Sequence, residues 1–388
     1  MKSLLRCSYS ARAFLLKSRA SSSQTTGTNK EESPLKRLLD DASSFGDVSN
    51  LEPELRWATE PYARVIADEP VKRVDPRETT VLLFPGQGSH HVGMGKRLLD
   101  LPAARELYEL ASNVVGWDVA RVCTEGPDDE LERRQQVCVL VTALAALERV
   151  RDERPGALER VRAAAGFSVG EVAALVFADA LSFEGALRFV ELRAAAAEAA
   201  AAERAGGTLM LWLAPDARLG DALRRARDHA AECGVAAPVC AVAAYMHAGC
   251  KAVAGDEAAL RWLRAHGAAW GVRRAAPVRG AALHSPLMAR AADALREALR
   301  HIQVRAPRLR VVSCVDAQAL RDATHTRRQL ARQALRPLRW EQALHALYAR
   351  PRAEPQPLTL ALGPAAALRS TLRLVNARAW DASLQIDV

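Results

Sequence analysis

The pentapeptide Gly166-Phe167-Ser168-Val169-Gly170 fits the pattern G-x-S-x-G. Glycines two residues either side of a serine let a strand turn sharply into a helix and hold the hydroxyl exposed on a strained backbone. The helix that follows sets its N-terminal amides near an oxygen that becomes negative during acyl transfer. The same five residues also suit an ordinary structural turn, because glycine and serine are common there. A second glycine turn, Gly86-Gln87-Gly88-Ser89, follows a short apolar run. It is a plain or phosphate-cradling loop, or it partners the first turn, with the Gln87 backbone amide as half of an oxyanion hole beside Ser168. Neither a Lys-Ser/Thr pair nor a G-x-G-x-x-G completes a nucleotide motif.

A serine nucleophile needs a base, and the chain has nine histidines. His90, His91, His229, His266, His301, His325 and His345 lie in polar or helical surroundings and are expected at the surface. His247 falls in a turn between strands. His284, in Gly280-Ala281-Ala282-Leu283-His284-Ser285-Pro286, stands where a strand exits into a loop before a helix. On position it is the candidate base.

The elements that must hold these residues follow from hydrophobic patterning. Val81 to Phe84 reads as a buried strand ending at Pro85-Gly86, and Arg162 to Gly166 as a second strand entering the serine turn. Helices are expected over about 95–115, 136–150, 169–178 and 182–205. From 206 to 280 the order is strand, helix, two strands, helix, strand, which is a ferredoxin-like βαββαβ unit set into a larger domain. A helix over 286–300, a strand at Leu309 to Val315, a mostly helical stretch over 324–350 and a strand at Leu358 to Leu362 complete the pattern. Strands alternating with helices imply an α/β fold with a mainly parallel sheet, hydrolase-like in layout, over 79–205 and 281–388.

The chain has 388 residues, 49% hydrophobic and 26% charged, which excludes wholesale disorder and small disulfide scaffolds. Its seven cysteines are odd in number, scattered and free of any CxxC, which suits a reducing compartment and argues against a zinc site. No stretch reads as a transmembrane helix. Residues 1–30 contain no acid but carry Lys2, Arg6, Arg12, Lys17, Arg19 and Lys30 among many serines, the composition of a mitochondrial transit peptide. Setting those six charges aside takes the net charge from +9 to +3, so the body shows little of the charge that nucleic acid binding needs. Residues 31–78, with five prolines, read as a linker or N-terminal extension.

Phe84-Pro85-Gly86-Gln87-Gly88-Ser89, Gly166-Phe167-Ser168-Val169-Gly170-Glu171, Arg193 and Gly280-Ala281-Ala282-Leu283-His284 resemble, in order and spacing, the four signatures of malonyl-CoA:acyl carrier protein transacylases. The resemblance runs over about 80–375. Phe167, where bacterial members usually have histidine, is similar to the mitochondrial branch, in agreement with the first thirty residues.

This resemblance implies Ser168 as the acyl-accepting nucleophile and His284 as general base, then acid. The Gln333 backbone carbonyl would orient the imidazole, and the amides of Gln87 and Val169 would form the oxyanion hole. Arg193 would pair bidentately with the free carboxylate of malonate, and Gln136 would line the same pocket. Departures are His90 for a usual glutamine, Val137 for proline, Ala197 for methionine and Ala244 for asparagine. The last two would widen the acyl pocket. The family needs no metal or prosthetic group. Malonyl-CoA and an acidic acyl carrier protein are the implied partners, the matrix the implied compartment, and a monomer the expected state. Basic docking candidates are Arg224, Arg225, Arg273, Arg274, Arg279, Arg327, Arg328 and Arg332. An esterase- or thioesterase-type hydrolase and a non-catalytic binding protein on the same fold are the competing readings.

Overall fold

Thr80–Phe84 is buried at every position, so strand β1 (Thr80–Phe84) must be covered on both faces. The computed structural model describes residues 74–388; the presequence and almost all of the linker expected over 31–78 lie outside the described residues. Helices α1 (Pro102–Val115) and α2 (Asp128–Glu153) follow, then β2 (Val161–Gly166), α3 (Val169–Phe177) and α4 (Phe183–Glu203). Three buried alanines, Ala163 to Ala165, keep β2 thin enough for close packing. Ser182 caps α4 by accepting from the Gly185 N–H at 3.1 Å.

The chain then builds β3 (Gly206–Leu213), α5 (Leu219–Glu232), β4 (Cys240–His247), β5 (Cys250–Asp256), α6 (Glu257–His266) and β6 (Val272–Val278). These strands form an antiparallel sheet in the order β4-β5-β3-β6, the ferredoxin-like arrangement. Leu209, Leu211, Val253, Leu223, Leu260 and Leu263 form a separate core between this sheet and its two helices. Arg204 ties its start to its interior, with Nε and Nη2 donating to the buried Asp256 carboxylate at 2.7 and 2.8 Å.

Back in the larger part come α7 (Ala289–His301), β7 (Arg310–Val312), α8 (Ala323–Gln333), α9 (Trp340–Tyr348), β8 (Leu358–Ala361), α10 (Ala367–Val375) and β9 (Ser383–Gln385). The large sheet is parallel throughout, in the order β7-β2-β1-β8-β9.

The structure departs from the sequence expectations in several places, and it adds helices at Val119–Glu125 and Ala367–Val375. The helix expected over 136–150 begins at Asp128, where Asp128, Asp129 and Glu130 favour the positive end of the helix. The stretch over 95–115 is a short 3-10 turn, Lys96–Leu98, before α1. The stretch over 324–350 breaks after Gln333, because Pro337 disfavours helix before it. Leu338 in this break bonds to β4, accepting from the Tyr245 N–H and donating to the Ala243 carbonyl, both at 2.8 Å. Finally, β9 adds a fifth strand that no pattern announced.

Candidate active site

Ser168 stands between β2 and α3 with φ 55° and ψ −113°, a conformation that L side chains seldom adopt. Backbone packed on backbone holds it there. A Cβ on Gly170 would lie 2.3 Å from the Phe84 carbonyl oxygen, and one on Gly86 would lie 2.3 Å from the Phe167 carbonyl oxygen. The Phe167 N–H donates to the Phe84 carbonyl at 3.0 Å. The two glycine turns are therefore one unit, and Gln87 follows directly from the point of contact. Val169 opens α3, so its N–H has no acceptor within the helix and belongs to the helix's positive end.

His284 also has a positive φ, 62°. Its N–H donates to the Ala334 carbonyl at 2.8 Å, and Nδ1 lies 2.6 Å from the Gln333 carbonyl oxygen. That carbonyl is free because α8 ends at Gln333, and the last carbonyls of a helix lack intrahelical partners. With Nδ1–H donating to it, Nε2 is the acceptor that faces the Ser168 hydroxyl at 2.9 Å.

Arg193 comes from the middle of α4 and is 1% exposed. Its Nη2 donates to Ser168 Oγ at 2.8 Å and to Gln333 Oε1 at 3.4 Å, while Nη1 donates to Gln136 Oε1. Its Nε is buried without a partner, and no carboxylate pairs with it among the described residues. Beneath the elbow, Glu171 Oε2 accepts from the Cys314 N–H at 2.7 Å, and Gln333 Nε2 donates to the Ser168 carbonyl at 3.2 Å.

Burial dominates the electrostatics. It pushes the His284 imidazole down to about 3, the nearby Arg193 cation adds to the fall, and the Gln333 carbonyl opposes it. Arg193 itself is lowered to about 10 by burial, against the pull of Cys314 and Glu171. Glu171 is raised to about 6 by burial, against hydrogen bonds from Cys314 and Ser313. The site thus holds a neutral imidazole beside a hydroxyl, with a buried cation that no carboxylate contacts among the described residues. Such a set suits transfer of an acyl group that carries its own carboxylate.

The residues named from sequence fall as follows. Ser168, His284, Arg193, Gln136 and Gln333 come together in one hydrogen-bonded cluster. Gln87, Gln136 and Ala197 line an adjoining cavity of about 170 Å³ with Gly280 and Leu283. Ala244 is not among its walls; it lies in β4, bridged to Leu338. Val137 is buried in α2. His90 is not a free surface residue, since its Nε2 meets Glu132 at 3.1 Å. Nor is His325, which is buried with Nε2 3.0 Å from Gln329 Nε2. The Gln333 amide, Glu171 and Cys314 escaped the sequence reading as members of the site. Glu171 had a visible signal, a charge in the first turn of an apolar helix; the other two had none. Among the described residues no cluster of three His, Cys, Asp or Glu side chains could hold a metal, and no helix is long and apolar enough to cross a membrane.

Residues 81–360 match the acyl transferase domain family. A Drosophila melanogaster protein named probable malonyl-CoA-acyl carrier protein transacylase, mitochondrial, is 43% identical over 316 residues, which cover 81% of this chain and 83% of the relative. The Homo sapiens malonyl-CoA-acyl carrier protein transacylase, mitochondrial, is 37% identical and covers 89% of this chain and 87% of the relative. Among solved structures, a malonyl-transacylase in complex with its type II PKS acyl-carrier protein superposes with a TM-score of 0.70 at 25% identity, covering 80% of this chain and 96% of that one. The matched span takes in both the serine elbow and the histidine facing it, and the chain belongs to the acyl transferase domain family.

Proposed function

We propose that the protein transfers the malonyl group from malonyl-CoA to the phosphopantetheine thiol of acyl carrier protein through a malonyl-serine intermediate. The observation that carries this reading is Arg193, a buried guanidinium 2.8 Å from Ser168 Oγ with no carboxylate partner among the described residues. An unpaired buried cation is costly, and a malonyl carboxylate offers it a bidentate partner. An acetyl group would leave it unpaired, which is how a site rejects the smaller analogue.

His284 Nε2 takes the hydroxyl proton as Ser168 Oγ attacks the thioester carbonyl. The oxyanion sits at the N-terminus of α3, held by the amides of Val169 and Gln87. Collapse breaks the C–S bond, and the departing CoA sulfur takes the proton from His284. The carrier thiol then gives its proton to His284, its sulfur attacks the serine ester, and Ser168 leaves with the proton restored. The Gln333 carbonyl keeps the ring in one tautomer throughout. No metal or prosthetic group enters these steps. A monomer suffices, since one chain supplies every group.

The matrix is the compartment that fits the acid-free, basic first thirty residues. Carrier docking needs unpaired basic side chains. Arg224 and Arg279 are tied to Asp221 and Asp128, whereas Arg328 and Arg332 have no carboxylate partner among the described residues and line a groove of about 470 Å³ between α7 and α8.

The test is intact mass after brief exposure to malonyl-CoA or acetyl-CoA. Expected is a malonyl adduct that requires Ser168, discharges onto carrier protein, and falls on the order of 100-fold in rate with Arg193→Ala. Release of free malonate without an adduct or carrier product would instead indicate a hydrolase.

A further inference from the structure

A buried guanidinium must be solvated by the protein, and a chain can do this with carboxylates or with neutral acceptors. Around Arg193 the acceptors within hydrogen-bond reach are the Gln136 and Gln333 amide oxygens and the Ser168 hydroxyl, all uncharged. Glu171, the carboxylate whose field Arg193 feels, has its Oε2 committed to the Cys314 N–H at 2.7 Å. Gln333 is the more constrained of the two amides. Its Oε1 receives Arg193 at 3.4 Å, its Nε2 donates to the Ser168 carbonyl at 3.2 Å, and its main-chain carbonyl receives His284 Nδ1 at 2.6 Å.

We propose that the Gln333 side chain is a positioning residue for malonyl selectivity. With Gln136 it forms a neutral cradle that fixes the Arg193 guanidinium without neutralising it, so that the substrate carboxylate is the guanidinium's first anionic partner. The inference rests on the malonyl-transfer reading and adds a second role to Gln333, distinct from its carbonyl. Any side chain at 333 keeps that carbonyl, so substitution there separates the orientation of His284 from the placement of Arg193. A carboxylate in the same position would pair with Arg193 internally and compete with malonate. An apolar chain of similar length would leave the guanidinium loose.

The experiment compares rates of Ser168 acylation by malonyl-CoA and by acetyl-CoA in the full chain, using the wild type, Gln333→Glu and Gln333→Met. The malonyl-to-acetyl ratio is expected to fall on the order of 100-fold in Gln333→Glu, the worth of a charge-assisted bidentate pair, and about tenfold in Gln333→Met. A purely structural role would slow both donors together and leave the ratio unchanged, which would overturn the proposal. Should Gln333→Glu fail to fold, Gln136→Glu supplies the same internal carboxylate from α2, and an unchanged ratio there would overturn it equally. A wild-type enzyme that forms no malonyl adduct would sink the functional reading and this inference with it. A wild-type adduct with unchanged ratios in the variants would sink the inference alone.

Discussion

Burial and a neighbouring cation give His284 a different working range from an exposed imidazole. Its depressed value, about 3, keeps Nε2 unprotonated across the physiological range. A histidine lowered on folding contributes stability in full above about 6.5, and that contribution is lost as pH falls toward 3. Kinetically, kcat/KM for Ser168 acylation by malonyl-CoA should show no histidine inflection between about pH 5 and 8. An inflection near 6.5 that persists in Glu171→Gln would contradict a base shielded by Arg193. Once malonate pairs with Arg193, part of the push on His284 is cancelled. The acid limb of kcat should therefore lie at higher pH than that of kcat/KM, and acetyl-CoA should show no such gap.

Gly166 and Gly170, and with them the serine between, are legible because the close approach of backbones forbids a Cβ at the two glycines, and only glycine writes that constraint into a sequence. Gly170→Ala would put a Cβ 2.3 Å from the Phe84 oxygen and 2.5 Å from that of Pro85. The expected cost is about 3 kcal/mol by urea denaturation, with acylation slowed on the order of 100-fold as the elbow shifts. A variant of wild-type stability and rate would mean the turns can separate freely. His284 was legible from its loop, but the Gln333 carbonyl came only through family likeness, since it depends on α8 ending at that residue. The Gln333 amide was illegible, because it meets Ser168 and Arg193 across 165 and 140 residues of chain. Strand β9 is three residues long and too short to carry a period. The start of α2 was readable and was missed, for Pro127 and three acids announce it.

At the scale of the molecule, the two half-reactions separate the substrates. Acylation by malonyl-CoA involves no carrier protein, so a docking surface matters only in the second half. Arg328→Glu combined with Arg332→Glu should leave the first half-reaction within about twofold and slow transfer to carrier protein at least about tenfold, with a weaker dependence on salt. Equal slowing of both halves, or of neither, would remove this face from the docking surface. The Arg204–Asp256 pair acts at the same scale. Arg204→Ala leaves a buried carboxylate with no cation and only the Val239 N–H as donor, and should cost about 3 kcal/mol by thermal or urea unfolding.

The order of strands in the large sheet has a consequence for how the protein comes into being. Strand β1, the earliest of the described strands, lies between β2 and β8, and Thr80 pairs with Leu358. Until β8 emerges, one whole edge of β1 stays open, its amides unmatched and its apolar faces half covered. Strand β8 is made late, so that edge of the sheet stays open through most of the chain's synthesis. The other side of this arrangement is a long interval of exposed strand edge, during which the unfinished chain is open to pairing with its neighbours.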